Sequence, residues 1–147
     1  MKPRLHKPTA LVPDAMAPMQ ALAKASDAFL PASLRHLVHM RASQINGCAF
    51  CLELHNSMYR SEETPQRLLT LAAWRDSPFF TDAERAALAL AEAVTLIADD
   101  GVPDDVWEEA TRHFDEKQLA ALVLYVSVVN VWNRLNVATR QVAGSGW

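Results

Sequence analysis

The sequence has few of the residues that break helices or cross-link a chain. Its 147 residues include four glycines and two cysteines, and no stretch alternates apolar and polar residues as a half-buried strand does. The formal net charge of −3 leaves no excess of positive charge for nucleic acid or an anionic membrane surface. A chain of this length can fold as one domain without disulfide staples. We therefore expect a single-domain, all-α protein that binds neither nucleic acid nor membrane.

A long uninterrupted apolar run is also lacking. The longest apolar stretch, residues 119–132, contains Ser127 and Asn130 and is too short to span a bilayer. The first 16 residues contain three prolines and an aspartate, which is unlike a signal peptide. We therefore expect a cytoplasmic protein, whose thiols are kept reduced, and a helix over residues 119–132 that is buried within the protein.

Helix-forming residues dominate what is present, and prolines and capping boxes divide them into segments. We expect a proline-rich, irregular arm over residues 1–14, one helical domain over residues 15–143 and a flexible tail over residues 144–147. Helices are predicted over residues 15–30, 32–45, 48–60, 65–75, 82–97, 103–114 and 119–143.

Both cysteines lie in one stretch, SQINGCAFCLELH, at residues 43–55. The Asn-Gly pair before Cys48 is typical of a helix end, so Cys48 would stand in the first turn of the next helix, where the helix dipole favours a thiolate. At about 100° per residue, Cys48, Cys51 and His55 share one face of that helix. His55 follows Cys51 by four residues, which is close enough for a thiol and an imidazole to share a proton. This pattern predicts two-electron thiol chemistry.

Two other interpretations of the cysteines stand beside this one. His36 and His39 form an HxxH pair before the CxxC, and together with Cys48 and Cys51 they could supply the two nitrogens and two sulfurs of a structural zinc site. Their projection from two different helices, and the surplus His55, count against this ligand set. In the other interpretation, the chain is a non-enzymatic helical interaction module whose CxxC senses the redox state.

The motif SxINGCxxCxxxH closely resembles the core of the alkyl hydroperoxidase D (AhpD) family, in the carboxymuconolactone decarboxylase superfamily. The resemblance extends over residues 34–140, and the CxxC favours the peroxidase-like branch, since the decarboxylase branch lacks it. It implies an AhpD-like helical bundle that assembles into homo-oligomers, either trimers or hexamers, and an alkyl hydroperoxide reductase activity. It further implies a hydroperoxide substrate, a reducing partner protein and no metal, haem or flavin cofactor.

The resemblance also implies roles for the residues of the motif. Cys51 attacks the hydroperoxide as a thiolate, Cys48 resolves the resulting sulfenic acid as a disulfide, and His55 takes and returns the proton. The helix dipole by itself favours Cys48 as the thiol of lower pKa. The direct imidazole partner favours Cys51 and also supplies a proton route, so we assign the attack to Cys51.

Two positions differ from the family pattern. The family's proton relay uses a glutamate twelve residues before the first cysteine, where this chain has His36. A family member also has a histidine between the cysteines, where this chain has Phe50. His36 is able to shuttle protons, because an unperturbed histidine titrates near neutrality. The alternative to a relay role is that His36 is exposed to solvent or lies at a subunit interface.

Overall fold

The computed structural model describes residues 1–59, 61–98 and 101–146. Within these residues the chain forms eight α-helices and no β-strand, which confirms the all-α fold. The helices are α1 (Pro8–Leu11), α2 (Pro13–Lys24), α3 (Ala32–Ile45), α4 (Ala49–Met58), α5 (Pro65–Thr70), α6 (Asp82–Leu96), α7 (Asp104–Thr111) and α8 (Glu116–Thr139). Short 3₁₀ turns at Ala25–Ala28 and Leu71–Ala73 extend α2 and α5. Arg60, at the end of a predicted helix, and Trp147, in the predicted tail, lie outside the described residues.

The N-terminal segment differs from the expectation of an irregular arm over residues 1–14. α1 lies within it, and α2 begins there at Pro13, a residue whose fixed φ suits the first position of a helix. Pro18 also lies inside α2. The backbone N–H of Arg4 donates to the carbonyl of Thr139 at 2.8 Å, which ties the start of the chain to the end of α8. The irregular backbone is therefore shorter than predicted.

The other helix boundaries follow local capping signals. Thr81 and Asp115 complete capping boxes at the starts of α6 and α8. Gly47 has a φ of +64°, a left-handed conformation that favours glycine, and this turn separates α3 from α4. α4 then begins directly after Cys48, close to the predicted position. α8 ends at Thr139, four residues before the predicted end at residue 143.

α8 is the central helix of the fold and contacts α2, α3, α4, α6 and α7. The sequence predicted an apolar stretch too short for a bilayer, but the whole 24-residue helix is long and apolar enough to cross one by length and composition alone. Half of its most apolar window is buried inside the protein. The largest core cluster joins Leu122 and Val126 of α8 to Val38 of α3 and Leu90 of α6. These contacts are typical of a core helix in a soluble protein.

Buried asparagines of α8 bind the turn that precedes Cys48. The side-chain Nδ2 of Asn46 donates to Oδ1 of Asn130 at 2.9 Å and to Oδ1 of Asn133 at 2.8 Å. Nδ2 of Asn133 donates in turn to Oγ of Ser43 at 3.0 Å. The C-terminal end of α3 is thus fixed to α8 by hydrogen bonds within the chain.

A carboxylate on α6 holds the other face of α3. Nε of Arg41 donates to Oε1 of Glu92 at 2.7 Å, and Nε1 of Trp74 donates to the same oxygen at 2.8 Å. Arg75 pairs with Oε2 of Glu92 at 2.7 Å. Burial raises the pKa of Glu92, but the hydrogen bonds from Trp74, Arg41 and Arg75 outweigh this effect, and the pKa lies below its ordinary value. α3 is therefore held on two sides.

Replacing Asn133 with alanine should destabilise the fold, because Asn46 and Ser43 each lose a buried partner. We expect the free energy of unfolding, measured by urea denaturation, to fall by about 1–3 kcal/mol, the usual cost of an unpaired buried polar group. Ser127→Ala is the matched control, since Ser127 lies on the exposed face of α8 and bonds to the carbonyl of Val123. If Asn133→Ala were as stable as Ser127→Ala, the network would have no structural role.

Candidate active site

Cys48 and Cys51 form a disulfide at the start of α4, with their Cα atoms 5.3 Å apart. Cys48 is the N-cap residue of α4, and its Sγ accepts a hydrogen bond from the backbone N–H of Cys51 at 3.2 Å. Both residues are buried. The first cysteine therefore stands at the helix start as predicted, where free N–H groups favour a negatively charged sulfur once the disulfide is reduced.

A pocket of about 360 Å³ opens beside the disulfide, with side chains of α2, α3, α4 and α8 in its walls. Cys51 and His55 line the pocket, whereas Cys48 does not. Asp27 and Arg35 also line it and form an ion pair with each other. Most of the lining is apolar or aromatic and includes Met16, Phe50, Leu54, Met58, Tyr125 and Trp132. A small organic molecule in this pocket would meet the sulfur of Cys51.

Three histidines and a tyrosine form a cluster between α3 and α4. Nδ1 of His36 lies 2.9 Å from Nδ1 of His55. The ring of His39 stacks on the ring of His55, with the two centroids 3.5 Å apart. The ring of Tyr59 also stacks on the ring of His55, with the two centroids 4.5 Å apart. His36 is 1% exposed, so the alternative of a solvated histidine is wrong. The histidine that replaces the family's glutamate is in direct contact with the expected base.

The cysteine motif by itself does not indicate His39 and Tyr59. His39 follows His36 by three residues, and Tyr59 follows His55 by four. Residues three or four positions apart share one face of a helix, so this spacing is the signal in the sequence that places His39 beside His36 and Tyr59 beside His55. The stacking shows that this face of each helix turns towards the same cluster.

Asn136 of α8 is a third residue that the motif does not indicate. Its Nδ2 donates to Sγ of Cys51 at 3.5 Å, across 85 positions of sequence. The side chain is 2% exposed and lines the pocket. The one signal in the sequence is the spacing of three between Asn130, Asn133 and Asn136, which places three amides along an otherwise apolar helix.

Burial keeps the three histidines neutral at physiological pH. Burial, followed by repulsion from His36, lowers the pKa of His39 to about 3. Burial is also the largest cause that lowers the pKa of His55, followed by the charges of His39, His36 and Arg35. Burial lowers the pKa of His36 as well, although the carboxylate of Glu62 opposes it. A neutral His55 has an unprotonated ring nitrogen that can accept a proton from a thiol.

The contact between two Nδ1 atoms requires opposite tautomers in the two neutral rings. One ring carries its proton on Nδ1, and the other accepts the hydrogen bond with its Nδ1 lone pair. When His55 is the donor, its Nε2 is unprotonated and His36 carries its proton on Nε2. The pair can then accept a proton at His55 and pass another to His36, as a relay does.

The residues of the zinc interpretation do not surround a common point. His36 and His39 contact the ring of His55, while Cys48 and Cys51 are bonded to each other. Among residues 1–59, 61–98 and 101–146, no group of three or more His, Cys, Asp or Glu side chains is arranged to hold a metal ion. The geometry therefore favours a redox function of the two sulfurs over a zinc site.

Lowering the pH should destabilise the protein through the histidine cluster. The pKa values in the native state lie below the ordinary 6.5, so below that pH the unfolded chain binds more protons than the native protein. The free energy of unfolding should therefore fall as the pH drops from 6.5 towards 3, with a slope of at most ~1.4 kcal/mol per pH unit for each histidine. Urea denaturation at several pH values measures this slope.

The variant His39→Phe keeps a ring to stack on His55 but removes one titrating group. Its stability should depend less steeply on pH than that of the wild type between about pH 4 and pH 6.5. The exposed His6 supplies a control, since His6→Gln should keep the wild-type dependence. A slope that is the same in all three proteins would contradict the role of burial at His39.

Comparison with known proteins agrees with these features. The sequence model of the carboxymuconolactone decarboxylase family matches residues 12–93, which include both cysteines. The uncharacterized protein YdfG of Bacillus subtilis is 43% identical over 112 residues, or 76% of each chain. The crystal structure of an Agrobacterium tumefaciens protein of unknown function, described as a candidate antioxidant defence protein AhpD, has a TM-score of 0.89 and 34% identity over 97% of this chain and 98% of its own.

A further similar structure is the debrominase Bmp8 in complex with 2,3,4-tribromopyrrole, with a TM-score of 0.79 and 23% identity over 90% of this chain and 72% of its own. At this identity the likeness shows a shared fold alone. The family match and the identity to YdfG are more specific, because they extend over more than half of this chain. The chain therefore belongs to the carboxymuconolactone decarboxylase family, and its CxxC pair and fold are those of the AhpD-like proteins within it.

Proposed function

We propose that the protein reduces organic hydroperoxides through a disulfide cycle between Cys51 and Cys48. The observation that carries this proposal is the placement of the two sulfurs. They are bonded to each other, and Cys51 lines a pocket of organic-ligand size that Cys48 does not line. A thiol peroxidase needs such a pair, with one sulfur open to the substrate and the other ready to close the disulfide. The AhpD-like relatives support an antioxidant role.

The cycle starts from the reduced pair. The thiolate of Cys51 attacks the terminal oxygen of the hydroperoxide, the O–O bond breaks, and the alkoxide leaves and takes up a proton. Cys51 is now a sulfenic acid. Cys48 then attacks the sulfur of Cys51, and the hydroxyl group leaves as water with the proton of the Cys48 thiol. The disulfide that results is reduced by a partner protein carrying two thiols.

His55 is the base of this cycle, and His36 is its partner. His55 takes the proton of the Cys51 thiol and returns it to the alkoxide. The 2.9 Å contact between the Nδ1 atoms would let His55 pass its Nδ1 proton to His36, which stands in place of the carboxylate that the family uses. Burial lowers the pKa of both rings, so both are neutral before the thiol proton is transferred.

The pocket favours an organic hydroperoxide over hydrogen peroxide. Its lining is mostly apolar and includes the aromatic side chains of Phe50, Tyr125 and Trp132. Burial of apolar substrate surface contributes about 25 cal/mol per Å², a gain that hydrogen peroxide cannot make. The reaction as written needs no metal, haem or flavin, and a thiol cycle suits a cytoplasmic setting, in which thiols are kept reduced.

The same disulfide would also serve a redox sensor without turnover. A sensor needs an oxidisable pair but has no need of an organic pocket or a proton relay. The pocket at Cys51 and the contact of His36 with His55 therefore favour an enzyme. Repeated turnover with a reductant distinguishes the two functions.

The outer face of α8 supports assembly into a homo-oligomer, for which the family resemblance implies a trimer or hexamer. Leu124 and Val131 are exposed on α8 and stand seven residues apart, so they share one face of the helix. Val137 is exposed further along the helix. Exposed apolar side chains at heptad spacing are typical of a helix that packs against a partner helix, here that of a second copy.

Substitution of each cysteine should give a different defect. Cys51→Ser should abolish hydroperoxide consumption, because it removes the attacking sulfur. Cys48→Ser should consume one equivalent of hydroperoxide, accumulate a sulfenic acid on Cys51 and then stop, because the resolving thiol is absent. Peroxide assays on the pre-reduced proteins, without added thiol that would itself reduce the sulfenic acid, and mass spectrometry of the trapped sulfenic acid measure these outcomes. The opposite pattern would exchange the two roles, and full activity of both variants would refute the cycle.

Charge on the outer face of α8 should dissociate the assembly. We expect the wild type to sediment as a trimer or hexamer, and the double variant Leu124→Arg, Val131→Arg to sediment as a smaller species. Leu69→Arg is the control, since Leu69 is an exposed leucine on α5 and should leave the assembly unchanged. A monomeric wild type at micromolar concentration would contradict the proposed assembly.

A further inference from the structure

Asn136 uses its side chain differently from the two other buried asparagines of α8. The amides of Asn130 and Asn133 both donate and accept hydrogen bonds within the chain. Asn136 donates through Nδ2 to Sγ of Cys51 at 3.5 Å, but its Oδ1 has no hydrogen-bond partner in the part of the chain that the structure describes. The same side chain lines the pocket.

An unpaired buried amide oxygen is uncommon, since the large majority of buried polar groups in proteins are hydrogen-bonded. At the wall of a pocket, such an oxygen indicates that a ligand supplies the donor. The residue itself is held in place, because its backbone carbonyl accepts the N–H of Gln141 at 2.9 Å just beyond the end of α8. The amide thus has Nδ2 on the sulfur of Cys51 and a buried Oδ1 that no described residue pairs.

We infer that the Asn136 amide binds the hydroperoxide group while it donates a hydrogen bond to the attacking sulfur. This inference rests on the peroxidase function proposed above. Nδ2 stabilises the thiolate of Cys51, because hydrogen bonds to an ionised group are stronger than those to a neutral one. Oδ1 accepts the O–H of the terminal peroxide oxygen, the atom that the thiolate attacks. A single planar group thereby positions both reacting atoms.

The bond changes of the attack agree with this arrangement. The electron pair of the sulfur forms the S–O bond, and the electron pair of the O–O bond leaves with the alkoxide, which takes the proton held by His55. The hydrogen on the terminal oxygen is not transferred. It stays on that oxygen and becomes the hydrogen of the sulfenic acid, so Oδ1 of Asn136 can accept the same O–H before and after the step.

Two substitutions separate the donor role from the acceptor role. Asn136→Asp has nearly the same shape and keeps an acceptor oxygen but loses the N–H group. Asn136→Leu has a similar volume and provides neither group. Each is made in the Cys48→Ser background, so that Cys51 is the one thiol present, and circular dichroism checks the fold. Lys117→Ala, at an exposed position of α8 outside the pocket lining, is the matched control.

The donor role is measured from the pH dependence of the reaction of Cys51 with methyl methanethiosulfonate. Both Asn136 variants should have a higher thiol pKa than the control, so that the thiolate fraction at a pH below that pKa falls about tenfold. An unchanged thiol pKa in both variants would overturn the donor role. A structural defect alone would lower the rate without moving the pH profile.

The acceptor role is measured at a pH above the thiol pKa of every variant. Methyl methanethiosulfonate has no O–H group and reports the thiolate alone, whereas tert-butyl hydroperoxide offers the O–H. Asn136→Leu should lose about tenfold in its hydroperoxide rate relative to its methanethiosulfonate rate, the effect of one lost hydrogen bond. Asn136→Asp and the control should keep the wild-type ratio. Equal losses with both reagents in Asn136→Leu would overturn the acceptor role.

The rates of the Cys48→Ser parent protein, which retains Asn136, distinguish a failure of this inference from a failure of the proposed function. If Cys51 of the parent protein reacts with methyl methanethiosulfonate but not with hydroperoxide, the peroxidase function is wrong and the acceptor role is wrong with it. The thiol pKa of the variants would still decide the donor role. If Asn136→Leu does not fold, Asn136→Ala replaces it with the same expected results.

Discussion

The paired hydrogen bonds from Asn46 to Asn130 and Asn133 position the residues of the candidate site. They fix the turn before α4 to α8, and that turn sets the start of α4 and hence the directions of Cys48, Cys51 and His55. The left-handed conformation of Gly47 lets the chain turn between α3 and α4. The same attachment brings a later turn of α8, with Asn136, against the sulfur of Cys51. The site therefore forms where α4 packs against α8, and the hydrogen bonds of Asn130 and Asn133 fix the relative position of these two helices.

Burial explains why three histidines can stand together near a thiol. Charged imidazoles at these distances would repel one another, but burial lowers their pKa values so that the rings are neutral and can stack and share hydrogen bonds. In the proposed cycle a neutral His55 accepts a proton, and its contact with His36 would let it pass on its Nδ1 proton. The family's glutamate would orient the base by its negative charge. In the proposed relay of this chain, a hydrogen bond between two neutral rings orients His55 instead.

Much of the fold followed from local signals, and part of the site did not. Capping boxes at Thr81 and Asp115 and the Asn-Gly break before Cys48 are short-range patterns, and the helices begin or end close to where these patterns predict. The N-terminal segment was misjudged because a proline can open a helix as readily as end one, as Pro13 does. Cys51 and His55 are one turn apart on a single helix, and both line the pocket, as their predicted common face requires. The contact of His36 with His55 and that of Asn136 with Cys51 join different helices, and no local spacing encodes how helices pack.

The central claim is that Cys51 and Cys48 pass between dithiol and disulfide at the expense of a hydroperoxide. Mass spectrometry of the fully reduced protein, alkylated at intervals after one equivalent of an organic hydroperoxide is added, tests this claim most directly. The account predicts that both thiols disappear together as one intramolecular Cys48–Cys51 disulfide forms and one equivalent of alcohol is released. If both cysteines stayed free while the hydroperoxide was unchanged, the two sulfurs would not be a peroxidase centre.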